Sequence, residues 1–388
     1  MLNDLVKSRL KTRSKTGVKL KYCTKCLMPE TRPRISFNED GICNACSWSE
    51  EKRTTVDWGA RWKRLEELCD RYKKRNRTKC NVIVPVSGGK DSSYVACAIK
   101  ERLGMQPLCI TIRAPLAKDI GRQNLQSFID HGFDHIHLTP NPVVGKAIDK
   151  RAFIHHGRPM HSLMTCAQAA IFKSTILFGI PFVMWGEEGE VEYGGTSKLK
   201  EQAHYDIEFA IKTYLSGEDP VKAHLSEFSE AELYWWRMPS AGDFASLNPT
   251  IAKWSYFEDW DPYQHYLVAK EKVNLKDAPQ RNVGTYNNFG QNDTILYDLY
   301  VYLMYLKFGF GRCSQDVGID IRRGAMAREQ ALALVRKFDG EYPEPYIGEY
   351  LEYYGMAKEE FDLVLDKHAN KKLFVKDGHK WVPMFTPE

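Results

Sequence analysis

The chain has 388 residues, 43% of them hydrophobic and 27% charged, ordinary proportions for a globular protein long enough to bury a full core. No apolar run approaches the roughly 20 residues of a membrane span, and the basic start, Met1 to Lys21, lacks the apolar stretch of a signal peptide. A reducing cytoplasm is therefore the expected location. The net charge of +5 is uneven, because residues 1–80 hold 21 Lys/Arg against 10 Asp/Glu. Those charges are scattered, as on a solvated face with a basic tail, so neither a membrane nor a nucleic acid is expected as a partner.

In chain order, residues 1–21 read as a basic lead. Residues 22–56 form a loop-rich module with four cysteines, and a helix with Trp62, Leu65, Leu68, Cys69 and Tyr72 on one side follows over 57–76. The apolar run Asn81 to Val86 predicts a buried strand, and Tyr94 to Leu103 a helix ended by Gly104. The same alternation continues with a strand over 107–112, a helix over 124–131, a strand over 135–138, a helix over 166–178 and a strand over 181–185. Strands alternating with helices specify a doubly wound parallel sheet, an α/β fold spanning residues 57–195. Residues 196–388 read as a mainly helical substrate or partner region, with helices over 294–308, 328–338 and 358–368. The arginines Arg312, Arg322 and Arg323 are spaced around glycines and suggest a ligand-holding loop rather than a clean helix. Trp235, Trp236, Trp254 and Trp260 read as core, and Cys166 as packing at the start of a helix rather than a reactive thiol.

Two patterns carry chemistry. The first is Ser87-Gly88-Gly89-Lys90-Asp91-Ser92-Ser93, which leaves a strand and opens a helix. Its glycines let backbone approach an anion, its helix N-terminus attracts phosphate, Lys90 adds charge and Asp91 suits Mg²⁺. It is neither a Walker A loop nor a dinucleotide fingerprint. The second is Cys23-x2-Cys26 with Cys43-x2-Cys46, 16 residues apart, a spacing that suits one structural Zn²⁺ with four thiolates. Glu187 and Glu188 follow the fourth strand at its carboxyl end, where one of them can bind Mg²⁺ or accept a proton. Glu192, Tyr193, Gly194 and Gly195 follow as candidates for holding a substrate.

The loop resembles the pyrophosphate loop of the ATP-pyrophosphatase (PP-loop) superfamily. That resemblance implies ATP at Ser87–Ser93, with Lys90 and Asp91 catalytic and AMP and pyrophosphate as products. The Tyr22–Pro33 lead-in, Trp185-Gly186-Glu187, Glu192 to Gly195, Lys307 to Arg312, Ile321 to Gly324 and Arg328-Glu329 together resemble the bacterial N-acetyl sugar amidotransferase family. Its members act on acetamido sugars of surface polysaccharides, including lipopolysaccharide O-antigen, and of flagellar glycans such as those with pseudaminic acid. The resemblance implies conversion of an N-acetyl group, on a sugar expected to be nucleotide-linked, to an acetamidine through an adenylylated intermediate. Glu187 and Arg312 would be catalytic, while Glu188, Glu192, Tyr193, Gly194, Gly195, Arg322 and Arg323 would hold the sugar. The family pattern has an Asn-like residue where Glu188 stands. No glutaminase nucleophile is recognisable, since Leu2 follows Met1 and Cys166 and Cys313 lack a tight glycine turn. Ammonia is then expected from a separate glutaminase partner, like the glutaminase and cyclase subunits of imidazole glycerol phosphate synthase. The alternative within the superfamily is a tRNA-thiolating enzyme, which the absence of a third C-x-x-C disfavours.

Overall fold

The computed structural model describes residues 17–388 apart from 76–79, 216, 218, 245–246 and 379. Most of the basic lead, residues 1–16, lies outside the described residues. Among the described residues no helix is long and apolar enough to cross a membrane.

Five short strands form one parallel sheet in the order β3-β2-β1-β4-β5: β1 Val82–Pro85, β2 Pro107–Ile112, β3 Asp134–Leu138, β4 Phe182–Trp185 and β5 Thr250–Lys253. The first four are those expected from the sequence. The fifth falls in the stretch read as mainly helical. Only four residues long and ending on a lysine, it carries too little apolar pattern to stand out. It nevertheless pairs in register with β4, Phe182 opposite Thr250 through Trp185 opposite Lys253.

Side chains alternate across the sheet. Val82, Val84, Cys109, Phe182, Met184 and Ala252 face one core, whereas Ile83, Ile110, Val183 and Ile251 face the other. The first three long helices are α1 Asn44–Thr54, α2 Trp58–Arg75 and α3 Lys90–Glu101, of which α2 and α3 cover the first core in part. Helix α2 contributes Leu65, Leu68, Cys69 and Tyr72, and α3 contributes Val95, Ala96 and Ile99. Burial of Val95 and Ile99 stabilises by about 1.5–3 kcal/mol each. Trp254 and Trp260 lie in this core, and Trp236 is buried elsewhere, as expected.

Helix α4 spans Asp119–Asp130, α5 Pro142–His156 and α6 His161–Phe178. Helix α5 was not among the elements expected from sequence. The helix is capped by Asn141, whose side chain accepts the Val143 N–H, and Pro142 fits its first turn. Gly145 belongs there because a Cβ would stand 3.1 Å from Ser162 and 3.4 Å from Trp236. Beyond the sheet come α7 Pro262–Val273, α8 Leu296–Phe308, α9 Arg312–Arg322, α10 Arg328–Phe338, α11 Ile347–Tyr354 and α12 Lys358–His368, then a hairpin of β6 Phe374–Asp377 and β7 Lys380–Pro383. The arginine segment expected as a loop is thus α9. The glycines before it terminate α8, with Gly309 in the left-handed region, and place Gly311 at the N-cap.

The strand order reverses between β1 and β4, since β2 and β3 lie to one side of β1 and β4 and β5 to the other. Ligands in open parallel sheets bind in the crevice outside the carboxyl ends at such a switch point. Gly88 makes this crevice narrow. Its φ is +80°, and a Cβ would stand 2.5 Å from the Leu125 Cα of α4. Gly88→Ala is expected to lose roughly 2–4 kcal/mol of unfolding free energy from strain and overpacking. Gly104→Ala, with φ of +60° and open space around it, should lose only about 1–2 kcal/mol. Denaturant unfolding of the two variants checks the difference, and equal losses would contradict the tight approach at Gly88.

Candidate active site at the sheet switch point

The loop after β1 is held by its own side chains. The Ser87 N–H donates to Ser92 Oγ at 3.2 Å, the Gly89 N–H donates to Ser87 Oγ at 3.3 Å, and Ser92 Oγ donates to the Gly89 carbonyl at 3.3 Å. Gly89 is the N-cap of α3, and no side chain caps that helix. The first N–H groups of α3 therefore point out of the loop toward whatever occupies the crevice, an arrangement suited to an anion. Ser93 is fully buried beneath the loop.

Lys90 forms an ion pair with the neighbouring Asp91 carboxylate. The other Asp91 oxygen accepts a hydrogen bond at 2.9 Å from Nδ1 of His265, on α7. That imidazole is itself fixed, stacked on Tyr94 at 4.1 Å and edge-on to Trp260 at 4.3 Å. Burial would raise the Asp91 carboxyl, but Lys90 and His265 hold it down at about 2. Glu187, just past β4, behaves oppositely. Burial and the charge of Asp91 push it up to about 7, against the pull of Lys90 and Lys253. Two carboxyls at one switch point are thereby driven apart, one firmly ionised and the other near neutrality.

A third carboxyl comes from the far end of the chain. Segment 115–118 forms a bridge with segment 292–295: Ala117 pairs with Thr294, the Lys118 N–H donates to the Asp293 carbonyl at 3.1 Å, and Thr294 Oγ1 donates to the Pro115 carbonyl at 2.6 Å. Asp293 is thereby brought to the phosphate-type loop, 3.9 Å from where a Gly89 Cβ would stand. Burial raises its carboxyl to about 6, moderated by Ser87, Lys118 and Lys90. Neither His265 nor Asp293 was expected from sequence. His265 sits in an ordinary helical stretch, and Asn292-Asp293-Thr294 reads as a simple lead-in to α8.

Residues 283–386, the segment that supplies Asp293, match the model of the LPS biosynthesis protein WbpG-like C-terminal domain. No curated protein matches the chain. Among solved structures, the chain is similar to NMN synthetase from Francisella tularensis at 10% identity, covering 79% of this chain and 96% of that one with a TM-score of 0.34. It is also similar to a predicted subunit of tRNA methyltransferase from Methanocaldococcus jannaschii at 21% identity, covering 31% and 58% with a TM-score of 0.22. The WbpG-like segment includes α9, and with it the three arginines singled out from sequence.

Those arginines separate in space. Arg312 is buried and held by Asp316 at 2.7 Å and by the Tyr297 hydroxyl at 3.2 Å, and its charge acts on Tyr193. Tyr193 is in turn acted on by Glu187 and Asp91, so Arg312 and the two carboxyls address the same phenol. Arg322 lies by the cysteine cluster and Arg323 pairs with Asp320 at 2.7 Å. Both line a cavity of about 60 Å³ shared with Glu192, Tyr193 and Lys52. Glu188 is buried against Lys253 and accepts from the Tyr214 hydroxyl at 2.8 Å, while the Ser255 hydroxyl accepts its backbone N–H. Glu192 accepts from Trp48 and Lys52, both at 2.9 Å. The Gly194-Gly195 turn abuts α1, where Asn44 donates to the Gly195 carbonyl. A larger cavity of about 530 Å³ opens at the ends of β2 and β3, lined by Ser87, Ile112, Leu125, Trp236 and Asp293, a size suited to a small ligand. Cys166 also lines it, but burial pushes the thiol up to about 12, so the residue packs rather than reacts.

Cys23, Cys26, Cys43 and Cys46 are all buried, with their sulfurs within 4.8 Å of one another. Cys23 and Cys46 sulfurs are 3.9 Å apart, and those of Cys26 and Cys43 3.5 Å. A zinc ion with four thiolates at about 2.3 Å in a tetrahedron requires sulfurs about 3.8 Å apart, so the cluster is able to hold zinc. Backbone N–H groups of Cys43 and Lys25 donate to Cys23 Sγ at 3.2 and 3.4 Å, which favours a thiolate.

Two measurements follow from this geometry. Metal analysis should find about one zinc per chain, and chelation should lower the thermal midpoint; a fully stable, zinc-free protein would contradict the site. Between pH 4.5 and 7, folded Glu187 retains a proton that the unfolded chain has released, so stability should fall as pH rises through that window. Glu187→Gln should make that fall shallower without abolishing it, because Asp293 is also raised. Thermal unfolding across that pH range checks it, and an unchanged slope would remove Glu187 from the coupled group.

Proposed function

We propose that the chain is an ATP-dependent amidotransferase that converts the N-acetyl group of a sugar to an acetamidine. The observation that carries this reading is the uncapped helix N-terminus at Ser87–Ser93 with Asp91 locked by His265 and Glu187 opposite. It offers an anion cradle, a fixed carboxylate suited to Mg²⁺ and a group able to exchange a proton near neutrality. The WbpG-like segment supports a role in glycan assembly, since its matched description is lipopolysaccharide biosynthesis.

On this reading the loop and Lys90 bind the triphosphate of ATP, and the 530 Å³ cavity takes the adenosine. The amide oxygen attacks the α-phosphorus, the bond to the β-phosphate oxygen breaks and pyrophosphate leaves. Adenylylation repairs two faults of an amide, a weakly electrophilic carbon and a poor leaving group. Ammonia then adds to the carbon, gives up protons, and AMP departs with the former amide oxygen. Glu187 would take a proton from the attacking ammonia, and Arg312 with Tyr193 would steady the developing charge. Mg²⁺, held by Asp91 and the phosphates, would supply charge neutralisation. A separate glutaminase would deliver the ammonia, and zinc would have a structural role only.

The test is to incubate the protein with ATP, Mg²⁺, ammonium and a panel of nucleotide-linked acetamido sugars. The expected product is about one mass unit lighter, oxygen having been replaced by NH, with AMP and pyrophosphate formed in equal amounts. His265→Asn should slow this by up to about 100-fold through misplacement of Asp91. ATP cleavage to ADP and phosphate, or sulfur incorporation into tRNA, would overturn the reading.

A further inference from the structure

The 193–195 turn has two sides. On one, Tyr193 is acted on by Glu187, Asp91 and Arg312. On the other, Arg32 lies against Gly194, its Nε 3.6 Å from where a Cβ would stand. Arg32 comes from the loop of the cysteine module, and its guanidinium carbon rests 5.7 Å from the centre of the Phe310 ring. Its Nε is buried and has no hydrogen-bond partner, and no carboxylate lies at ion-pair distance among the described residues. Nearby, Arg34 is clamped by Glu190 through two hydrogen bonds of 2.7 and 2.6 Å. Glu190 also accepts the Thr196 N–H at 3.0 Å, so its oxygens are already engaged.

These charges gather around one phenol. Tyr300, on α8, is 39% exposed, its ring 5.7 Å from that of Tyr297, the Arg312 partner. Burial raises the Tyr300 hydroxyl, and Arg32, Arg158 and Arg34 pull it back down against Glu190. Burial, together with Arg322 and Arg34, disfavours the charged form of Arg32 despite Glu190. An arginine does not escape such a position by losing its proton, and a buried N–H without a partner is costly. The fork of Nε and Nη atoms is the geometry that grips two oxygens of a phosphate or carboxylate. Arg32 abuts Gly194, the residue after Tyr193, so the guanidinium and the phenol flank one short turn.

We propose that Arg32, with Arg34, Arg158 and Tyr300, forms the anchor for an oxyanion carried by the acceptor sugar, a phosphate ester or a carboxylate, while its acetamido group reaches Asp91 and Glu187. This rests on the sugar-modifying reading above and adds the substrate's charged handle and the residues that hold it.

The full-length, zinc-loaded chain is first saturated with a non-hydrolysable ATP analogue, so that the phosphate loop is filled. Binding of uridine diphosphate, N-acetylneuraminate and neutral N-acetylglucosamine is then measured by calorimetry. One of the two anions should bind at least about tenfold more tightly than the neutral sugar and weaken with added salt. Binding of the diphosphate assigns a phosphate handle, and binding of the neuraminate a carboxylate. R32Q and, independently, R158Q should weaken that binding about tenfold, with zinc content and affinity for the ATP analogue unchanged, and R32K should recover part of it. The proposal falls if neither anion binds the native chain, or if both glutamine variants bind like it. Anion binding that is sensitive to R32Q, without acetamidine formation, would retain this anchor and discard the proposed reaction. Acetamidine formation with KM unchanged in R32Q would do the reverse.

Discussion

The structure turns on a buried cation that stitches the second half of the chain to the first. Lys118, in the loop after β2, forms an ion pair with Asp298 of α8 at 2.9 Å, both side chains nearly inaccessible. The same ammonium donates to Asn282 at 3.1 Å, and the Lys118 backbone donates to Asp293. Burial pushes the Asp298 carboxyl upward even with Lys118 beside it, so desolvation is not fully offset. Removing one partner of such a pair typically costs about 3–5 kcal/mol. What the pair secures is position: with α8 seated there, Asp293 meets the phosphate-type loop, Tyr297 meets Arg312, and Tyr300 meets the arginines of the cysteine module.

That module is no separate lobe. Its cysteines pack with Val301, Met304 and Phe310 around α8, and Thr31 donates to the Phe308 carbonyl at 2.5 Å. Trp48 and Lys52 of α1 fasten Glu192, while Lys52 also reaches Asp259 at 2.7 Å. The acidic run after β4 therefore divides its work. Glu187 faces the crevice, Glu188 faces a buried lysine, and Glu190 and Glu192 hold the module in place.

The parts legible from sequence were those whose signal is local. The loop Ser87–Ser93 needs a strand before it and a helix after it, and the four cysteines need two short knuckles; both patterns lie within a few residues. Glu187 was legible because it follows a recognisable strand. Strand β5 was not, since Thr250–Lys253 is four residues long and draws its stability from pairing with β4 rather than from a pattern of its own. Helix α9 was hidden by the glycines around it, which serve as helix ends and as room for close packing. His265 and Asp293 escaped for a different reason. Their role depends on contacts with Asp91 and Ser87 made across well over a hundred residues, and no local feature of either stretch records such a meeting.

The bridge between segments 115–118 and 292–295 also bears on when the crevice comes into being. Strands β1, β2 and β3 pair in sequence order, Ile83 with Leu108 and Cys109 with His135, so they can assemble early, whereas β4 joins β1 from farther along the chain, Val183 beside Ile83. Asp293, by contrast, must close a loop of about 200 residues, and contacts of such long range form late because their entropic cost precedes their reward. A ribosome that has released residues up to Lys253 has exposed every strand of the sheet, yet not the wall that finishes the crevice. Occupancy of the crevice by ligand would then report a late stage of folding, and the switch point would stay incomplete until α8 had emerged and docked.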